Sequence, residues 1–197
     1  KSLRILMIAS EAYPYSKTGG LADVAAALPK ALGRLGHDVT LITPRYRGVA
    51  PAPVVDRSRV EVAGTWFDVG FGAAALGPGA RVLFLECPPL FDRPGIYNED
   101  GVDYGDNAVR FAVLSAAAID WLSRQPGPIH VVHGHDWQAG LAPIMLRDRF
   151  TRSRPATVFT IHNLAYQGIV DKAWVPRLGL RWEDFTLDGF EFYDRLS

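Results

Sequence analysis

One stretch near the start constrains the fold more than any other. Leu3-Arg-Ile-Leu-Met-Ile-Ala9 is a short, mostly apolar run, the pattern of a central parallel strand buried on both faces. A loop from Ser10 to Gly20 follows, punctuated by Pro14 and the pair Gly19-Gly20. Leu21, Val24, Ala25, Leu28, Leu32 and Leu35 then recur at spacings of three and four, which is one face of an amphipathic helix that Gly36 stops. Val39-Thr-Leu-Ile-Thr43 reads as a second strand, ended by Pro44. Strand, glycine loop, helix and strand make a βαβ unit, whose crossover is right-handed.

Farther on, Ala50 to Ser58 reads as a surface loop. Val60 to Ala63 and Thr65 to Phe71 read as a hairpin turned near Gly64, Ala73 to Gly79 as a small-residue turn, and Arg81 to Glu86 as a buried strand. Leu90 to Gly105 is a long loop, of the kind that often carries function. A helix is expected from Asn107 to about Leu122 and a strand from Ile129 to His133. A helix from Ala139 to about Arg149, bent near Pro143, and a strand from Thr157 to Ile161 follow. Alternation of this kind predicts an α/β fold, a Rossmann-like open parallel sheet with helices on both faces. The apolar residues Phe190, Phe192, Tyr193 and Leu196 lack a turn signal. Their end reads as the edge of a piece, with these side chains partly exposed or packed on another copy.

Composition narrows the partners. Twenty-one basic residues balance 21 acidic ones, which argues against a dedicated nucleic-acid surface. The single cysteine, Cys87, allows no intrachain disulfide and suits a reducing compartment. No stretch reaches the roughly 18 apolar residues of a membrane helix. Lys1 to Ser10 reads as a buried strand rather than a signal peptide, since Glu11 and Pro14 follow where a small-residue cleavage site would stand.

Three groups of polar residues stand where open α/β sheets bind ligands, just past strand ends. The first is Lys17-Thr-Gly-Gly-Leu-Ala-Asp-Val24. Gly19 and Gly20 admit close backbone approach, the helix N-terminus offers unpaired N–H groups, and Lys17 adds a full charge, a combination suited to phosphate. A tight turn with a solvated lysine is the plainer reading. Asp23 is either a sugar-hydroxyl acceptor or an acid favoured by the helix dipole. The second group is His133-Gly-His-Asp-Trp137. His-x-His-Asp raises the possibility of a metal site, but no second cluster completes a coordination shell. A sugar cleft with Trp137 as a stacking surface fits better, while Asp136 also suits a helix cap. The third is Thr160-Ile-His-Asn-Leu-Ala-Tyr-Gln-Gly168, with His162 and Asn163 past the strand. Tyr97, in the long loop, is a further candidate.

These motifs resemble the signatures of bacterial glycogen synthases and plant starch synthases. Leu90-Phe-Asp-Arg-Pro-Gly95, Asp106-Asn-Ala-Val-Arg-Phe111 and Phe159-Thr-Ile-His-Asn-Leu-Ala-Tyr-Gln-Gly168 fall with them in that family's order, over nearly the whole chain. The resemblance implies the N-terminal domain of a retaining glycosyltransferase of the two-domain GT-B fold, with residues 1–197 forming an incomplete first domain. Such enzymes transfer glucose from ADP-glucose to the non-reducing end of an α-1,4-glucan, with no metal and no cofactor. By the same resemblance Lys17 contacts the donor phosphates and the Gly19-Gly20 backbone lines that site. Asp23, Tyr97, Trp137 and Asn163 are substrate-binding candidates; His162 and Asp136 are catalytic candidates. The His162 backbone carbonyl would stabilise positive charge at the anomeric carbon. The family's second domain supplies an Arg/Lys pair and a glutamate that this sequence lacks, so this chain alone should be half a site. The implied partners are ADP-glucose and the glucan, without nucleic acid or membrane. The implied location is the cytoplasm, or a plastid for a plant protein. Two rivals remain: a related GT-B enzyme using UDP-glucose, and a non-catalytic sugar- or nucleotide-binding module.

Overall fold

The computed structural model describes residues 1–150 and 154–197. The first unit forms as its pattern predicts: β1 (Arg4–Ile8), α1 (Gly20–Arg34) and β2 (Asp38–Pro44), with β1 and β2 parallel. Every residue of β1 after Arg4 is buried, as a strand covered on both faces requires.

β3 (Val54–Val62) and β4 (Thr65–Gly77) are longer than the sequence suggests. The polar residues between Val54 and Val60 do not make a surface loop. β3 is the sheet's edge strand and pairs antiparallel with β4, with polar side chains on its solvent face. Ala73 to Gly77 does not turn either. Ala73, Ala74 and Ala75 face Leu83, Val82 and Arg81 of β5 (Ala80–Glu86), and only Pro78-Gly79 reverses the chain. Pairing to a neighbour overrides the weak strand preference of alanine.

The long loop is partly ordered into one turn of helix, α2 (Pro88–Phe91), and a two-residue ladder of β6 (Asn98–Glu99) and β7 (Val102–Asp103). α3 (Asn107–Ser123) follows. β8 is Val131–His135, two residues later than expected, so His133 lies inside the strand. Pro126 and Pro128 precede it and delay pairing. α4 (Leu141–Arg149) begins after a short 3-10 turn, Trp137–Ala139. Pro143 therefore falls in the first helical turn, where its missing N–H has no intrahelical partner to lose, and it marks the start of the helix rather than a bend. β9 (Ala156–Thr160) completes a seven-stranded sheet of order β3-β4-β5-β2-β1-β8-β9. From β5 to β9 in that order all pairings are parallel.

The end of the chain holds β10 (Val170–Asp171), α5 (Trp174–Arg177), β11 (Glu191–Phe192) and β12 (Arg195–Leu196). β12 sits between β10 and β11. Phe190 and Leu196 are buried within the chain, contrary to the expectation of exposure, while Phe192 and Tyr193 face outward. The β11–β12 turn is Tyr193-Asp194, both at positive φ (51° and 60°). That is a hairpin turn made without the usual glycine or asparagine, which hides it from a sequence reading. No helix of the described residues is long and apolar enough to cross a membrane.

The order reverses between β1 and β8: the chain moves from β1 toward β2 and β5, then returns to β8 on the other side. Such a reversal leaves a crevice beyond the C-terminal strand ends. The glycine loop follows β1, and the two histidine motifs follow β8 and β9, so all three open on that crevice.

Candidate functional site

The loop after β1 is anchored from below. Glu11 is buried, and its Oε2 accepts the N–H of Thr18 at 2.5 Å and that of Gly19 at 3.4 Å. Its Oε1 accepts the Thr18 hydroxyl at 2.7 Å and the Tyr97 hydroxyl at 2.5 Å. Tyr97 also lies 2.7 Å from Ser10 Oγ. Burial, with the Tyr46 phenol and the Glu11 carboxylate nearby, pushes the Tyr97 phenol far above its usual range, so it is neutral. The Tyr97 hydroxyl is thus engaged inside the protein rather than presented to a ligand.

Lys17 Nζ donates to both oxygens of Asp23, at 2.8 and 2.7 Å. Both side chains are about half exposed. Gly19 caps α1 without any side-chain cap, which leaves the N–H groups of the first helical turn open. A Cβ placed on Gly19 or Gly20 would meet nothing within 4 Å. Protein packing therefore does not demand glycine at either position.

On β8 and just past β9 three imidazoles stack. The ring centroids of His133 and His135 are 4.1 Å apart, and those of His135 and His162 5.3 Å. His135 Nδ1 lies 3.0 Å from His162 Nε2, and His133 Nε2 lies 2.8 Å from Thr160 Oγ1. His135 is buried, and burial first, then the charges of His133 and His162, brings its pKa down to about 3. His133 is lowered too, by burial and then by His162. The rings pair with one another rather than converging on a point. Among the described residues no group of three or more His, Cys, Asp or Glu is placed to hold a metal ion.

Asp136 does not cap the following turn with its side chain. It sits at φ 56°, and its Oδ1 accepts the backbone N–H of His162 at 2.7 Å, while its own N–H donates to Thr160 O. Asn163 Oδ1 accepts the N–H of Ala165 in a local turn, and the residue is exposed. Trp137 meets Phe111 edge to face at 5.1 Å. Its indole lies flat against Gly168, whose φ is 64° and whose added Cβ would fall 2.3 Å from the ring. Trp137 also borders a cavity of about 820 Å³ with Phe159, Ile161, Leu164 and Tyr166.

The sequence-derived candidates thus form two groups on one rim. Lys17, Gly19, Gly20 and Asp23 stand on the β1 side; Asp136, Trp137, His162 and Asn163 stand on the β8–β9 side. Tyr97 lies beneath the first group. Sequence reading missed Glu11 and Arg110, and weighed His135 only as a metal ligand. Arg110 is fully buried in α3 and donates to Leu90 O, Ile96 O and Asn107 Oδ1, which fastens the loop that carries Tyr97. The available signals were an acid set between a buried strand and a glycine pair, and an arginine on a helix otherwise almost wholly apolar.

Residues 4–197 match the family described as the starch synthase catalytic domain. The chain is 44% identical over 212 residues to a glycogen synthase of Anaeromyxobacter sp. (strain K), covering 99% of this chain and 42% of that one. It is likewise 44% identical to a glycogen synthase of Myxococcus xanthus, covering 43% of that chain. Among solved structures it is similar to the catalytic domain of starch synthase IV from Arabidopsis thaliana bound to ADP and acarbose. The TM-score is 0.83 and the identity 28%, over all of this chain and 42% of that one. A sucrose-phosphate synthase from Thermosynechococcus elongatus, with TM-score 0.52 and 19% identity, shares the fold over 82% of this chain. The chain spans less than half the length of the curated relatives it matches.

Proposed function

The chain belongs to the starch synthase catalytic domain family, and from that premise we propose that it forms one wall of a cleft in which glucose passes from ADP-glucose to the non-reducing end of an α-1,4-glucan with retention. The observation that carries this reading is the shared rim: an open helix N-terminus beside Lys17 faces the same crevice as the Asp136-tethered backbone of His162. The first supplies donors and positive charge for a diphosphate leaving group. The second brings a main-chain carbonyl to where positive charge grows on the anomeric carbon as the bond to ADP breaks.

The other residues take matching roles. Lys17 leaves Asp23 for a donor phosphate, and Gly19 and Gly20 let the phosphates approach the backbone. Trp137, held flat by Phe111 and Gly168, offers a stacking face to a sugar, with Asn163 and Asp23 as hydroxyl partners. Asp136 acts by fixing the His162 backbone. None of these roles requires a metal. The relatives' greater length leaves room for the cations of the opposite wall, so this chain alone is expected to bind the donor weakly and not to turn it over. A cytoplasmic setting suits the bacterial relatives, the neutral charge balance and the single buried cysteine.

An NMR titration of the chain with ADP and with UDP tests the reading. ADP should shift the amides of Lys17 to Ala22; a chain blind to both would count against it. Fusing the remaining part of the Anaeromyxobacter relative after Ser197 should give transfer from labelled ADP-glucose to glycogen. Preference for UDP-glucose in that fusion would favour the rival donor.

A further inference from the structure

We propose that Glu11 is the positioning residue of the phosphate-facing loop, and that Tyr97 acts on that loop through Glu11. The loop has little else to hold it. Lys17, Thr18, Gly19 and Gly20 are all exposed, so no apolar burial fixes them, and the two glycines have the widest backbone freedom of any residue. The Glu11 carboxylate reaches this loop from the buried side. Oε2 takes the Thr18 and Gly19 N–H groups, and Oε1 takes the Thr18 hydroxyl.

The partners define what the residue at position 11 must be. Both groups on Oε2 are backbone N–H donors, which have no acceptor form. A glutamine in this place would have to keep its one carbonyl oxygen for them, and its NH₂ would force the Thr18 and Tyr97 hydroxyls, which now donate to Oε1, to turn and accept instead. A carboxylate accepts at both oxygens and satisfies all four partners at once. Tyr97 is the fourth partner, and Arg110 holds its loop through the carbonyl of Ile96 next to it. A chain of contacts therefore runs from the core of α3 to the glycine loop.

The clamp also divides the loop's donors. Thr18 and Gly19 N–H point inward to Glu11. The first-turn N–H groups of α1, on Gly20, Leu21 and Ala22, have no side-chain cap and end the helix beside Lys17. A diphosphate would meet that helix end with the preceding loop already held, at a smaller cost in ordering it. This consequence rests on the proposed donor site; the clamp itself does not.

The experiment is amide exchange and ADP titration by NMR on the whole chain, comparing the parent with Glu11→Gln and Tyr97→Phe. In the parent, Thr18 and Gly19 amides should exchange slowly although their residues are exposed. Glu11→Gln should speed both by about tenfold or more and weaken ADP binding at least about fivefold. Tyr97→Phe should move both in the same direction by less. If Glu11→Gln fails to fold, Thr18→Val, which removes one donor from the carboxylate, gives the same readings. Unchanged exchange at Thr18 and Gly19 would overturn the clamp. A lower melting temperature with unchanged ADP affinity would make Glu11 merely structural and overturn its positioning role. A parent chain that does not bind ADP, with the exchange effects present, would sink the proposed donor site and leave the clamp standing.

Discussion

The carboxylate of Asp136 accepts the backbone N–H of His162 at 2.7 Å, and this one bond ties the residue after β8 to the second residue after β9. It is made from a residue at φ 56° and ψ 177°, outside the left-handed helical well, in a strained region that side-chain-bearing residues of any kind rarely occupy. Asp136→Ala should lose the acceptor that holds this strained backbone in place, costing about 1–3 kcal/mol in urea unfolding. Asp136→Asn keeps an Oδ1 acceptor and should retain most of that stability. Equal losses for the two variants would show that an Oδ1 acceptor for the His162 N–H is not what holds this segment.

The pH dependence of stability should carry the mark of His135. Its pKa of about 3 in the fold lies below the ordinary 6.5, so the unfolded chain binds the extra proton first. Stability should therefore be unaffected above pH 6.5 and fall as pH drops through the window from 6.5 toward 3. The slope from this group approaches about 1.4 kcal/mol per pH unit. His133, lowered as well, adds to it with the same sign. Carboxylates titrate lower, so the part between pH 6.5 and 5 belongs to the histidines. His135→Gln should flatten the urea midpoint there; an unchanged slope would remove His135 as its source.

What is legible in the sequence follows from how local each signal is. β1, the glycine loop and α1 are written in consecutive residues, so period and punctuation suffice for them. The rim of polar groups is legible because each stands next to a strand end. β3 is hidden because its polar outer face mimics a loop, and the Tyr193-Asp194 turn because its positive φ values are carried by residues that do not advertise them. The partners of Glu11 and His135 are hidden for another reason. Glu11 meets Tyr97, and His135 meets His162, across 86 and 27 residues of chain, and no local pattern encodes such pairings. Lys17 and Asp23, though close in the chain, look like separate ligands in the sequence and are bonded partners in the fold.

Arg110 is the fastening of the 90–105 loop. Its guanidinium satisfies two carbonyls that burial would otherwise orphan, those of Leu90 and Ile96. Arg110→Met should cost about 2–4 kcal/mol, since the side chain's volume is kept but the carbonyls lose their donors. Limited proteolysis should then cut between residues 92 and 105 first. Resistance equal to the parent's would mean that the loop holds without it.

Gly168 sets the plane of Trp137. An added Cβ would lie 2.3 Å from the indole, and alanine is disfavoured at φ 64°. Gly168→Ala should displace the ring at a cost of about 1–3 kcal/mol. The loss should appear in thermal unfolding together with a change in the near-UV signal of tryptophan. A variant with parent-like stability and spectrum would show that the ring is free to move.

Lys17 separates a structural lysine from a ligand-binding one. Its pair with Asp23 is about half exposed, and exposed pairs contribute roughly 0–1 kcal/mol to stability. Lys17→Ala should therefore leave the unfolding midpoint nearly unchanged. Loss of a charge-assisted bond to a phosphate, by contrast, costs about 1.5–3 kcal/mol, or roughly 10- to 150-fold in ADP affinity. Lys17→Arg should recover only part of this. A planar guanidinium suits a two-pronged grip on the Asp23 carboxylate, which Lys17 already contacts at both oxygens, and that grip holds the charge away from the ligand. The check is ADP titration of the three chains beside their urea curves. If Lys17→Ala shifts the midpoint while ADP binds as before, Lys17 serves the loop and not the phosphates.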